Sequence, residues 1–372
     1  MRAQPSDVSA SAVAVPISDL FRREPGLMTD DRIEREIIHR LEISQQETYL
    51  ERSQVWIRTL LFVYGEQWIK WNDWGKRWLR RPAGRERRVT INGLAGRLTH
   101  MTAKLSSSRP GFKGVPENPD LAQRRGAVLS ERILVADYNE LDMGYARELA
   151  IMDCLLFGFG VIQVGYDELR RPRPRYRVAR SEDGQPILDD LKAEIRELDD
   201  DGEPVLDDFE YEGGPDVWAR SPHSFYFPPG LERCSLDDAA WVITHDWMGE
   251  EEARSRFDLG DGWVFGAPTQ PAMEPMTSFL QRFQMGGQST TQRDGECEVI
   301  TYYQRPADVK GFEFGAVITL VNGKKVPGRR GKRFERSQWD DGRYPFFLFP
   351  WMPHRGQFIP YAWISVQVEP QA

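Results

Sequence analysis

The sequence predicts an α+β fold, with helices in the first half and antiparallel strands in the second. Two observations carry that expectation. Apolar residues recur every three or four positions between Ile33 and Leu156, and from Val161 onward they come in short runs bounded by turn dipeptides.

The elements can be taken in order. Residues 1–28 are rich in Ser, Ala and Val with polar interruptions, a poor signal peptide and a good disordered arm. Thr29-Asp30-Asp31 starts a helix, with Asp31 and Glu34 at capping-box spacing and Ile33, Ile37, Ile38 and Leu41 on one face. The pattern continues through Trp56, Leu60 and Leu61. A second helix carries Ile91, Leu94, Leu98, Met101 and Leu105 and stops before Arg109-Pro110. A third runs from about Asp120 to Tyr138, with Leu121, Val128, Leu129 and Ile133 on one side. A fourth carries Tyr145, Leu149, Met152 and Leu156 and ends at Gly158-Phe159-Gly160. Residues 29–169 form this helical part.

Residues 170–214 are charged and turn-rich, a solvated hairpin insertion that could hold a short helix from Asp189 to Leu198. Residues 215–350 form the α+β part. Strands are expected over Val161–Val164, Trp218–Phe227, Ala239–Asp246, Glu298–Gln304, Glu313–Val321 and Tyr344–Phe349. Gly249–Phe257 reads as a short helix, Asn322-Gly323 as a hairpin turn, and residues 260–295 as a long mobile loop. Tyr344–Trp351 is read as a strand buried on both faces, and residues 351–372 as a lead-in to something still to be packed. The polypeptide is therefore expected to continue past Ala372.

Composition narrows the function classes. A chain of 372 residues and 43.0 kDa needs two or three structural units. It has no apolar run near the ~20 residues that span a bilayer. Three scattered cysteines, Cys154, Cys234 and Cys297, fit neither a zinc site nor a disulfide framework, and suit synthesis in a reducing cytoplasm. Net charge is −8 and pI about 5.4, so the chain has no surplus of cations with which to grip DNA tightly.

Chemical motifs are few. There is no phosphate-binding Gly-Lys-Ser/Thr loop, no HExxH and no GxSxG. Gly158-Phe159-Gly160 follows a helix and opens a strand, the reverse of a dinucleotide loop, so a hinge or close-packing role is favoured. The five histidines stand singly. No catalytic residue, cofactor or metal is expected. Glu197, Asp199, Asp201, Gly202 and Asp208 do fall at calcium-loop offsets, with Glu at the first and Pro204 where an apolar residue belongs. A solvated acidic turn is the favoured alternative.

The most unusual stretch runs from Gln67 to Arg88. It interleaves Trp68, Trp71, Trp74 and Trp78 with Arg80, Arg81, Arg87, Arg88 and other cations. Trp and Arg are the commonest interface anchors, and together they can also hold phosphates and stack bases. In an acidic chain a subunit or partner interface is favoured over direct DNA contact.

These pieces, in order, resemble the portal proteins of tailed bacteriophages, especially the short-tailed type. The cues are Tyr64-Gly65-Glu66-Gln67-Trp68, then Val89-Thr90-Ile91-Asn92 opening a helix that ends at Arg109-Pro110 before Val115-Pro116. They continue with the helix, glycine pair and strand from Asp153 to Val164, and with Pro222 to Pro229. Leu236 to Val242, a short helix after Met248, and Tyr344-Pro345-Phe346 complete the series. The resemblance implies the wing of a non-enzymatic head–tail connector subunit, in a ring of about twelve copies at one capsid vertex. It implies contacts with the packaging terminase, a head–tail adaptor, scaffolding or major capsid protein, and double-stranded DNA bound weakly and without sequence preference, with no membrane. Portal chains continue into a stem, which is absent from these 372 residues. The alternatives are another phage head protein, such as a minor capsid or adaptor subunit, and a metal-dependent nuclease using clustered carboxylates.

Overall fold

A computed structural model describes residues 30–72, 77–81, 90–116, 120–167, 172–179, 197, 204–211, 213–260, 262–268, 295–305, 315–326, 343–352, 358–360 and 362–364. Within them the chain is α+β, and every strand pairing is antiparallel.

Helices α1 (Asp30–Ser44) and α2 (Leu50–Val63) are joined by a single π-helical turn, Gln45–Tyr49. The capping-box reading of Asp31 needs correcting, because the helix already includes Asp30. Glu34 reaches away from its own helix instead, and its carboxylate accepts the Lys325 backbone N–H at 2.7 Å. Ser44 is fully buried and donates to the Phe227 carbonyl at 2.8 Å, which ties the π turn to the second half of the chain. Helix α3 (Gly93–Ser106) begins later than the periodicity suggested. Asn92 caps it by accepting from the Ala95 N–H, which leaves Ile91 outside and exposed.

Helices α4 (Leu121–Glu140) and α5 (Met143–Phe157) form a hairpin, with Asp142 in the left-handed region at the turn. Helix α5 ends at Gly158 (φ 98°), and β3 (Phe159–Asp167) starts at once. At Gly160 a Cβ atom would stand 1.9 Å from the Ala150 carbonyl oxygen, so only glycine lets β3 lie this close on α5. The close-packing reading of the glycine pair thus has a geometric cause.

Two sheets share one core. The first has the order β12-β3-β6, with β6 at Gly214–Arg220 and β12 at Phe346–Pro350. The second has the order β11-β10-β9-β8-β7, built from Lys324–Lys325, Ala316–Val321, Glu296–Gln304, Trp241–Gly249 and Phe225–Tyr226 respectively. The strand expected across Trp218–Phe227 is in fact two strands in different sheets. Ser221 caps a 3₁₀ turn with Pro222 at its first position, and Pro222 has no N–H to continue the ladder. Asn322 (φ 46°) and Gly323 (φ 76°) make the tight turn after β10.

The core gathers Ile37, Leu41, Trp56 and Leu61 from the first helices, Leu155 and Phe157 from α5, and Phe225, Ile243, Ile300 and Leu320 from the sheets. Helices and strands therefore belong to one packed body rather than to separate units. The Trp56 indole N–H donates to the Phe157 carbonyl at 3.0 Å, satisfying an end-of-helix acceptor.

The insertion at 170–214 contains a two-stranded pair, β4 (Pro172–Tyr176) with β5 (Leu206–Tyr211). Its expected helix falls outside the described residues except for Glu197, as does most of the 260–295 loop. Among the loop's first residues two aromatics are packed. Trp263 and Phe265 lie against helix α6 (Glu250–Phe257) in a small second cluster around Ala253, Cys297, Val299 and Val321.

Two expectations about the last segments are corrected. Strand β12 is not buried on both faces, because Phe346 is buried while Phe347 and Phe349 are exposed. Phe358, Ile359 and Ile364 are buried in this chain's own core, with the Phe358 ring 3.7 Å from that of Phe227. Their apolar character is thus satisfied internally, and it carries no argument for a missing packing partner.

Candidate subunit interface

The Trp/Arg stretch forms a hairpin. Strand β1 (Ile69–Asn72) pairs with β2 (Arg77–Arg80), and Trp71 lies directly opposite Trp78, ring centroids 5.3 Å apart at 64°. Period-two alternation places Ile69 in the core, whereas Lys70 is exposed. Much of the stretch is committed within the chain. Trp78 donates its indole N–H to the Gln54 carbonyl at 3.2 Å, and Trp68 donates to the Thr90 hydroxyl at 3.2 Å. The Arg80 guanidinium grips the Glu66 carboxylate through both oxygens, with Nε at 3.0 Å from Oε2. The Arg81 backbone N–H donates to the Trp68 carbonyl at 2.9 Å. Trp74, Arg87 and Arg88 lie outside the described residues. The described part of the hairpin thus presents the Trp68 edge with Arg80 and Arg81, while Trp71 and Trp78 support it from behind.

The acidic turn is only partly in view. Glu197 sits 3.9 Å from Arg177 and exchanges backbone hydrogen bonds with Arg177 and Val205. Asp208 lies in strand β5 opposite Arg175 rather than at the start of a helix. Asp199 and Asp201 fall outside the described residues. Among the described residues, no three His, Cys, Asp or Glu side chains gather as metal ligands would.

Two polar contacts lie in the core. His245 on β8 faces Glu298 on β9 at 2.9 Å, both almost fully buried. Where the two sheets meet, Arg220 contacts Gln163 and Asp246, and Gln163 donates to the Tyr303 hydroxyl at 3.2 Å. This strut joins β3 and β6 of one sheet to β8 and β9 of the other. Burial among apolar groups raises the Tyr303 phenol, lowers the His223 imidazole to about 4 and raises the Asp153 carboxyl to about 7. His223 stands edge-on to both Trp56 and Phe157, at 4.8 and 5.0 Å, so it is a packed aromatic of the core.

The surface that sequence reasoning missed is α4. Its predicted apolar side, Leu121, Val128, Leu129 and Ile133, does not face the core, and no residue of the helix is buried. These four, with Leu134 and Val135, are 46–62% exposed. The segment before α4 lines one flank, where the Gly114 N–H meets Glu131 at 3.3 Å and Phe112 meets Tyr138 at 5.9 Å between rings. A warning was present in the sequence, since Val128-Leu129 and Ile133-Leu134-Val135 put apolar side chains on several sides of one helix. No family model matches the chain, and no curated protein matches it.

Proposed function

We propose that this chain is a structural subunit of a homo-oligomeric ring of the phage portal class, a conduit for double-stranded DNA at one capsid vertex. The observation that carries the reading is how the resemblance cues come together. Pro345 accepts from the Val164 N–H at 2.9 Å, and Phe346 pairs with Gln163, so the closing cue lies on the strand of the glycine-pair cue. The Pro222–Phe227 cue runs into β7, which pairs with the Trp241 strand. Cues spread over some 180 positions thus meet in one core, as the portal reading expects.

The charge supports a conduit. A net −8 keeps phosphate affinity low, whereas neutralising even ~6 phosphates would produce tight, salt-sensitive binding unsuited to sliding DNA. In this reading the subunit's partners are further copies of itself, the packaging motor, an adaptor, and scaffolding or capsid protein, and its place is the virion.

Electron microscopy of the purified chain, with its copy number per particle, tests the proposal. A single closed ring per particle is the expected result. Many copies spread over the shell would point to a minor capsid protein, and divalent-metal-dependent cleavage of DNA would replace the proposal with a nuclease.

A further inference from the structure

We propose that α4 is the surface by which one copy of this chain docks on the next, inserting against the acidic face around α6 of its neighbour. The inference rests on the ring reading for its biological setting, but not for its physics.

A soluble helix pays for its order by burying an apolar stripe, and α4 buries none. Leu121, Val128, Leu129 and Ile133, on one side of the helix, together expose roughly 400 Å², within the range of the largest patch on a free monomer. That is about half of the ~800 Å² per partner in a stable interface. Leu121, Arg125, Val128 and Arg132 follow one another at offsets of four, three and four, so arginines and apolar residues share a single stripe. Arg124, Arg125 and Arg132 make no ion pair among the described residues. Helix stability does not explain them either. Arg124 and Arg125 lie toward the positive end of the helix dipole and Arg132 past its middle, while Asp137 and Glu140 lie toward the negative end, so the dipole favours none of them.

The charge pattern also selects the partner. Two copies of α4 packed side by side in parallel would bring their arginine stripes together, which disfavours that arrangement. A complementary face exists elsewhere on the chain. The first turn of α6 exposes Glu251 and Glu252, which make no ion pair among the described residues, whereas its last turn carries Arg254 and Arg256; the adjoining segment 262–268 exposes Val264. The two faces belong to different parts of the fold, α4 packing on α5 and α6 on β8 and β9. A contact between unlike faces propagates head to tail and closes as a ring when the rotation permits.

The test uses the full chain in solution, with assembly followed by light scattering across a concentration series. Leu129→Glu with Ile133→Glu, and separately Arg125→Glu with Arg132→Glu, should each raise the half-assembly concentration at least about tenfold. Far-UV circular dichroism and the urea midpoint should stay unchanged, because these side chains are exposed. Glu251→Arg with Glu252→Arg should weaken assembly similarly, and combining this pair with the arginine reversals should restore it. Assembly of the α4 variants at the parent's concentration overturns the proposal. So does a parent chain that stays monomeric, or one that binds anionic vesicles without self-associating. Failure of the combined reversal to rescue overturns the α6 face. Assembly through α4 into something other than a ring would remove the portal reading and leave this inference standing.

Discussion

Helices α4 and α5 are consecutive arms of one hairpin, and they meet solvent in opposite ways. Helix α5 buries Ala146, Ala150, Cys154, Leu155, Leu156 and Phe157, while α4 buries nothing. Both carry apolar residues at helical spacing, so periodicity identifies a helix without saying whose surface will cover it. Close backbone approach occurs on both arms. Strand β3 meets α5 at Gly160, and the segment before α4 meets it at Gly114, where a Cβ would stand 2.2 Å from the Ala127 carbonyl oxygen. Gly126 on the same helix has open space.

The largest contrast should appear in truncation. Leu155→Ala, at a fully buried position, is expected to cost about 2–5 kcal/mol, and Leu129→Ala less than about 0.5 kcal/mol. Urea denaturation at a concentration where the chain is monomeric measures both. A Leu129→Ala cost comparable to that of Leu155→Ala would show that α4 is covered within the single chain.

The next contrast reverses sign. Gly160→Ala forces a Cβ against the Ala150 carbonyl and should destabilise by about 3 kcal/mol or more. Gly126→Ala meets no neighbour and improves helix propensity, so it should stabilise by about 0.5–1 kcal/mol. Thermal melts of the two variants beside the parent decide it. A stable Gly160→Ala would mean that β3 and α5 are not in backbone contact.

The smallest effect is electrostatic and belongs to α5. Asp153 titrates near 7 in the folded chain against an ordinary 3.8, so between these values the folded state holds a proton that the unfolded state has lost. Its contribution to stability is present below about pH 4 and is lost as pH rises through 7. Asp153 is only half-buried, so solvent screening cuts the roughly 4 kcal/mol that a shift of this size implies, and Asp153→Asn should gain on the parent by about 1–2 kcal/mol between pH 4 and pH 8. His223 works the other way, since a folded value near 4 against 6.5 adds stability as pH rises through that window. The difference between variant and parent isolates the carboxylate. A pH-independent difference would place Asp153 in water.

Much of the fold was legible because local chemistry decided it. Asn322-Gly323 gave its turn, Gly158 its helix end, and the run around Trp241 its strand. What escaped was decided at a distance. The break between β6 and β7 depends on two sheets diverging at Ser221-Pro222, and the residues on either side look equally strand-like. The Trp/Arg stretch was legible as unusual, but not as a hairpin with Arg80 already taken by Glu66. The α4 face was misassigned because the same apolar residues serve a core or a neighbour equally well.

The Glu34–Lys325 contact has a bearing on aggregation. The five-stranded sheet ends in β7 and β11, each only two residues long. Strand β11 is two lysines, and Glu34, 291 positions away, takes the Lys325 N–H that another strand would otherwise seek. A short, charged, occupied edge such as β11 halts β-sheet growth from molecule to molecule, and β7 is short and buried. This chain can thereby meet another copy through side chains on a chosen helix without its five-stranded sheet also seeding fibres.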